Sequence, residues 1–410
     1  MTSIKDTVIA LSTRSEGPIN RLSVLVNQYL VVFFRCAQGH HAAAYPPLEA
    51  QMDVCSANMD VSPPPSSRPK ISRTLYRWQR ASPADHLRAL IPQWHKKPLD
   101  ITTEVLGGNA SFVNYVRHHR LLDPSTGQAV EVVEKSIRKI AFIGSQEARF
   151  HRSNGMLTDS KCFHYPACLG VIETPCESLI FTEFVRGKPP RMHKIGKQLA
   201  LGISELETLS HDYLQAQPAG KTPLLWTMDF FRPWFLLRPR FNFSRCLPEL
   251  VKLGLDDDRF TGFAERFKAF IPLTRKMASD ARRSPRCISH MDYLQKNLFV
   301  DKGQLHLIDW SEVKVGRIGF DGGAYLGSLF RRKDMKVFLA AQAEFIEAYH
   351  SALPERFDVE QALRNLRYVF LLTSLFHCLR PETIAEYKER DRMPLLLEKY
   401  NYLLGLLDQG

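Results

Sequence analysis

The apolar residues of this chain change their spacing once in mid-sequence, and that change limits what the chain can fold into. Between Ile101 and Val185 they fall in short β-branched and aromatic runs; beyond Pro190 they recur at helical spacing. Strands set apart from helices describe an α+β protein. ITTEVLGGNASFVNYVRHHRLL predicts a strand, a glycine turn at Gly107-Gly108 and a second strand. DPSTG (Asp123 to Gly127) supplies a reversal, and AVEVVEKSIRK reads as a third strand, so the start is an antiparallel meander. SQEARFHRSNGML has helical character, and ACLGVIE and SLIFTEFV add strands on either side of Thr174-Pro175. RGKPP (Arg186 to Pro190) then breaks the chain as a connector would.

The second half predicts helices. KQLALGISELETLSHDYL is amphipathic. DDDRFTGFAERFKAFIPLTRKMASDARR is expected to be helical too, with acids at its start where the helix dipole favours them. A hairpin-like VDKGQLHLIDW and several helical segments follow, and no internal repeat is visible. The expected organisation is an N-terminal extension over 1–95, a small β-rich lobe with one helix over 96–186, and a larger helical lobe over 187–410.

The extension has a different texture. MDVSPPPSSRPK reads as a partly disordered Pro/Ser linker, and Ile71 to Asp100, with Trp78, Leu90 and Trp94, as one or two short helices. LSVLVNQYLVVFF (Leu22 to Phe34) is shorter than the roughly 20 residues that span a bilayer, and Asn27 and Gln28 interrupt it. The expectation is a soluble chain without stable membrane insertion, whose extension is dispensable or lies upstream of the true start. The eight cysteines form no CxxC pair, which fits a reducing, cytoplasmic compartment. Cys162, His164, Cys168 and Cys176 are close in sequence, but their spacing fits no standard zinc pattern. The formal net charge of +12 favours an anionic partner. Lys and Arg are spread along the chain without a basic tract, which argues against a nucleic-acid role.

The chemistry-bearing stretch is Ser289 to Val300, SHMDYLQKNLFV, followed by QLHLIDW. Asn297 offers a neutral carbonyl oxygen and Asp309 a charged one, both hard donors suited to Mg²⁺, which leaves Asp292 to accept a hydrogen bond from a substrate hydroxyl. Phosphoryl transfer needs such groups together with a cover and a cation for the nucleotide phosphates. LGGNASF offers glycine backbone for the cover. Lys135 closes the apolar run VEVVEK, and Glu147 follows on a predicted helix where it could pair with it. Taken singly, Lys135 and Glu147 also read as an exposed strand end and a helix-surface charge.

SHMDYLQKN resembles the catalytic loop of the aminoglycoside phosphotransferase and choline kinase-like family, relatives of the protein kinases, and LIDW resembles its magnesium-binding segment. The resemblance runs in motif order from Ile101 to about Leu329. It implies a two-lobed protein-kinase-like fold that uses ATP and Mg²⁺. It implies further that Asp292 is the catalytic base or hydroxyl-orienting residue and that Asn297 and Asp309 are the Mg²⁺ ligands. Lys135 would meet the α- and β-phosphates with Glu147 as its partner, and Gly107, Gly108, Asn109 and Ser111 would cover the nucleotide. FTEFV (Phe181 to Val185), with Glu183 and Val185, would meet adenine, and His290 and Asp321 would brace the loop. Met291 stands where the family often has Gly, and Leu294, Gln295 and Lys296 replace its common His/Ser, Pro and Gly.

The implied activity is transfer of the γ-phosphate of Mg-ATP to a hydroxyl of a small molecule: a sugar, an amino alcohol or a related metabolite. A protein kinase fits less well, because no APE-like segment follows IDW and Glu312 to Phe320 is short. A kinase-like nucleotide-binding regulator without turnover is the alternative. An excess of Lys and Arg in the helical half weighs against a polycationic aminoglycoside acceptor. LLWTMDFFRPWFLLRPRF (Leu224 to Phe241) either lines a pocket for an anionic or sugar-like acceptor or belongs to the core. The oligomeric state is not readable from the sequence.

Overall fold

The computed structural model describes residues 83–91, 100–110, 112–139, 145–152, 157, 159–217 and 233–408, and gives only the backbone for 83, 109–110 and 233–242. Residues 1–82, Trp94, Ser111 and the side chains of Leu224 to Phe241 therefore lie outside the described residues, as does the apolar run Leu22 to Phe34. Among the described residues no helix is long and apolar enough to cross a membrane.

The first half forms an antiparallel sheet. Strands β1 (Asp100–Ala110), β2 (Val113–Leu122), β3 (Ala129–Arg138), β5 (Cys168–Glu173) and β6 (Glu177–Glu183) lie in the order β1-β2-β3-β6-β5. A two-residue strand, β4 (Phe163–His164), leaves this sheet and pairs in parallel with a hairpin strand of the second half. Side chains alternate across a strand, so neighbouring charges on β3 meet different fates. Val132 packs with Leu87 and Ile91, the latter just beyond helix α1 (Pro83–Leu90). Ile137, on the opposite face, packs with Ala148 of helix α2 (Gln146–His151). Lys135 shares the Ile137 parity and so faces α2, while Glu134 points the other way, to Tyr115 and His119.

The helical half holds α3 (Gly196–Ala216), α4 (Pro233–Asp256), α5 (Phe263–Arg266), α6 (Phe270–Ala281), α7 (Phe320–Arg332), α8 (Met335–Ala352), α9 (Val359–Cys378), α10 (Pro381–Glu389) and α11 (Met393–Asp408). Between α6 and α7 run strand β7 (Arg286–Ser289), the hairpin β8 (Leu298–Asp301) and β9 (Gln304–Leu307), and strand β10 (Lys314–Arg317), which pairs back onto β7. The large core includes Phe150 of α2 together with Trp310, so α2 joins the interior of the helical half, while the apolar residues of the sheet form two smaller clusters. This is the α+β plan expected from the sequence.

Three local expectations are corrected. Gly107 and Gly108 lie within β1, paired with Val116 and Tyr115 past a bulge, and the strand pairing continues beyond them to Ala110 and Val113. Neither glycine has positive φ, and a Cβ on Gly108 would come within 2.7 Å of the Asn114 carbonyl oxygen, so close strand approach explains the small residue there. The helix after β3 is limited to Gln146–His151 among the described residues. The acids Asp256 to Asp258 do not open a long helix. Asp256 ends α4, and Asp257 accepts from the Arg259 amide at 3.1 Å, a local turn that competes with helix.

Candidate active site

The loop between β7 and β8 is held from beneath by Asp321, which is fully buried in the first turn of α7. Its carboxylate accepts from the backbone amides of His290 and Met291 at 3.0 and 2.9 Å and from the Tyr293 hydroxyl at 3.1 Å. Burial still raises its pKa to about 6 against these bonds. Met291 adopts φ 68°, a left-handed conformation that a side chain rarely takes. This accounts for the glycine common at that position in the resembling family.

His290 bridges the loop to the IDW segment. Its Nε2 donates to the Ile308 carbonyl at 2.9 Å and its Nδ1 accepts from the Asp292 amide at 3.2 Å, the pattern of a neutral ring. Burial lowers its pKa to about 4, which agrees with a neutral ring. Asn297, also buried, donates through Nδ2 to both the carbonyl and Oδ2 of Asp292, each at 2.9 Å. Spending both amide hydrogens there leaves Asn297 Oδ1 and Asp292 Oδ1 for other partners. Burial, then the Glu312 charge, raise the Asp292 pKa, while the Asn297 amide opposes them.

Asp309 follows β9 with φ 62°, outside the extended geometry of the strand. Its Oδ1 lies 2.6 Å from Lys135 Nζ, and the same ammonium lies 2.7 Å from Glu147 Oε2. Burial alone would raise the Asp309 pKa, but Lys135 holds it well below the usual carboxylate range. Lys135 is raised in turn by Glu147 and Asp309 against its own burial. Lys296 stands 3.6 Å from Asp309 Oδ2 and adds a second, exposed cation. The next residue, Trp310, stacks on Phe150 with ring centroids 4.0 Å apart, tying the helix that carries Glu147 to the segment that carries Asp309.

The structure thus brings Lys135, Glu147, Asp292, Asn297 and Asp309 into one connected cluster, with His290 and Asp321 beneath it. Gly107 and Gly108 remain in β1, Asn109 is described by backbone alone, and Ser111 lies outside the described residues. Glu183 ends β6 with its amide donating to Ala167 and its carboxylate 3.5 Å from His164. Phe150, Tyr293 and Glu312 were not singled out as site residues in the sequence. Their roles come from ring stacking, a hydroxyl contact and proximity, which leave no spacing signal.

Among the described residues no group of three or more His, Cys, Asp or Glu is placed to hold a metal ion. The oxygens of Asn297 and Asp309 nevertheless form a hard donor pair suited to Mg²⁺, which takes its remaining ligands from phosphate and water. The residues fit the ion on that ground.

Residues 182–359 match the phosphotransferase enzyme family, a span that holds Asp292, Asn297, Asp309 and Asp321 but neither Lys135 nor Glu147. No curated protein matches the chain. Among solved structures it is similar to a choline kinase from Cryptosporidium parvum Iowa II, at 12% identity over 79% of this chain and 93% of that one, with TM-score 0.46. It is similar to the amicoumacin kinase hAmiN in complex with AMP-PNP, Ca2+ and Ami, at 12% identity over 73% and 88% of the two chains, with TM-score 0.49. A putative fructosamine-3-kinase from Haemophilus somnus 129PT is similar at 13% identity over 78% and 96%, with TM-score 0.41.

Proposed function

We propose, for a chain that carries the phosphotransferase enzyme family over residues 182–359, that it moves the γ-phosphate of Mg-ATP to a hydroxyl of a small molecule. The observation that carries this reading is the connected set Lys135–Glu147–Asp309 beside Asp292–Asn297. Mg-ATP supplies the transferable phosphoryl group and the divalent charge that stabilises it. Glu147 holds Lys135 where an ammonium can meet phosphate oxygens, and Asn297 and Asp309 would hold the metal. Asp292, with Oδ2 fixed by Asn297, accepts the acceptor hydroxyl's hydrogen bond at Oδ1. As the acceptor oxygen bonds to phosphorus its proton passes to Asp292. The bond from phosphorus to the bridging oxygen breaks, and its electron pair leaves with ADP. The Glu183–Val185 connector and the Gly107–Ser111 segment complete the nucleotide site in this reading, and the setting is cytoplasmic.

A small acceptor is supported by the stretch after Asp309. Trp310 to Glu312 is a short turn and Lys314–Arg317 pairs with β7, so little chain remains for an activation loop. The test is ATP consumption with Mg²⁺ across sugars, amino alcohols, nucleosides and aminoglycosides. Asp292→Ala is expected to lower kcat by about 10²–10⁴-fold. Tight Mg-ATP binding with no acceptor-dependent turnover would replace this reading with a nucleotide-binding regulator.

A further inference from the structure

Next to the loop that carries Asp292, within the helical half, lies a cavity of about 260 Å³. Tyr293 and Gln295 of the loop form one wall, Arg191 and His193 a second, and Arg332 and Lys333, at the end of α7, a third. No aspartate or glutamate lines it. The neighbouring Asp334 is engaged in capping α8, accepting from the Val337 amide at 2.9 Å. Like charges gathered without a counter-charge repel one another, and an anion relieves the repulsion. His193 adds an independent sign: its Nδ1 is buried without a hydrogen-bond partner. Burial and the charges of Lys333, Lys194 and Arg191, only partly offset by Asp334, lower its pKa.

Resting on the phosphotransferase reading, we propose that the acceptor already bears a phosphate group, and that this group occupies the cavity while a hydroxyl of the same molecule meets Asp292. Two arginines and a lysine match the charge of a phosphate dianion better than that of a single carboxylate, and guanidinium forks suit its tetrahedral oxygens. The volume, at the small end for ligand pockets, suits a phosphate with a few attached carbons. Arg332 also borders a second cavity, which holds Arg380, but there Glu382 stands 3.6 Å from Arg380. Arg380 therefore serves as a control for general surface charge.

The experiment has a binding arm and a turnover arm. In the first, the full chain with Asp292→Asn is titrated calorimetrically with ribose 5-phosphate, erythrose 4-phosphate, glyceraldehyde 3-phosphate, gluconate and ribose. At least one phosphate ester is expected to bind more tightly than gluconate, and ribose least. Adding Arg332→Ala and Lys333→Ala together is expected to raise its Kd by about ten- to hundredfold, with the thermal midpoint kept, whereas Arg380→Ala leaves the Kd in place. Equal loss with Arg380→Ala, or ribose binding as tightly as its ester, overturns the cavity assignment. Tighter binding of gluconate overturns the phosphate class. In the second arm the wild type consumes ATP with sugar phosphates and with their unphosphorylated parents. Turnover of the parents alone sinks this proposal and leaves the phosphotransferase reading standing. Esters that bind as expected while no acceptor drives ATP consumption sink the phosphotransferase reading, and the acceptor role with it.

Discussion

Asp292 and Asp309 are the same residue type in one cluster, and their surroundings drive their pKa values apart. Burial and Glu312 raise the first; the Lys135 ammonium holds the second ionised. A pair of carboxyls separated in this way can divide the work, one exchanging a proton and the other keeping its charge for a cation. The sign of the Glu312 effect makes a prediction. A base must be ionised to act, so kcat/KM should climb as pH rises through the Asp292 pKa. Glu312→Gln removes a negative charge that raises that pKa, and the acidic limb of the profile should move to lower pH. A limb that stays in place would assign it to another group. Lys135 illustrates the same point from the cation's side: its side chain is only 13% exposed, and two carboxylates at 2.7 and 2.6 Å keep its charge tolerable.

Helix α7 is the element on which the loop rests, and its glycines explain how closely it can sit. A Cβ on Gly323 would come within 2.4 Å of the Leu366 carbonyl oxygen, and one on Gly327 within 2.2 Å of Thr373 Oγ1, both on α9. Gly319, just before the helix, has φ 93° and donates its amide to the buried Glu207 of α3 at 2.9 Å. Asp321 follows at once, so the helix–helix distance sets where the loop amides find their acceptor. Gly323→Ala should force α7 off α9 and cost about 1–3 kcal/mol. Thermal unfolding would report that loss. Acceptor-dependent turnover should fall as well, because Asp321 moves with the helix. Unchanged unfolding would mean that α9 yields at Leu366 and that the packing is looser than the distances imply.

The side chains through which the sheet and the helical half meet include the site itself. Lys135 reaches Asp309, and Phe150 stacks on Trp310. Phe150 is fully buried in the shared core. Phe150→Ala should therefore destabilise the fold by about 3–5 kcal/mol, and weaken Mg-ATP binding because α2 carries Glu147. Phe150→Leu, which keeps most of the apolar volume, should recover much of the stability and less of the binding. Chemical denaturation paired with nucleotide titration separates the two. Equal recovery of both would show that the stack contributes volume and no alignment.

What could be read from the chain is what lies close together along it. Asp292 and Asn297 share one turn, Asp309 closes the next hairpin, and apolar spacing distinguishes sheet from helix, because period and turn chemistry are local properties. The pair Gly107-Gly108 misleads for the same reason. Glycine permits a reversal without requiring one, and at Gly108 the constraint is a neighbouring strand. The approach of Lys135 to Asp309 spans 174 residues of sequence, and the basic cavity beside the loop joins the segment before α3 to the end of α7. Neither leaves a periodic trace, since each depends on how separate elements pack. The sequence by itself determined the division into sheet and helices and the polar residues of the loop. Only the tertiary structure decided which charges meet and which are left facing an open pocket, because the energy of a charge depends on distance and burial, both settled when the core closes.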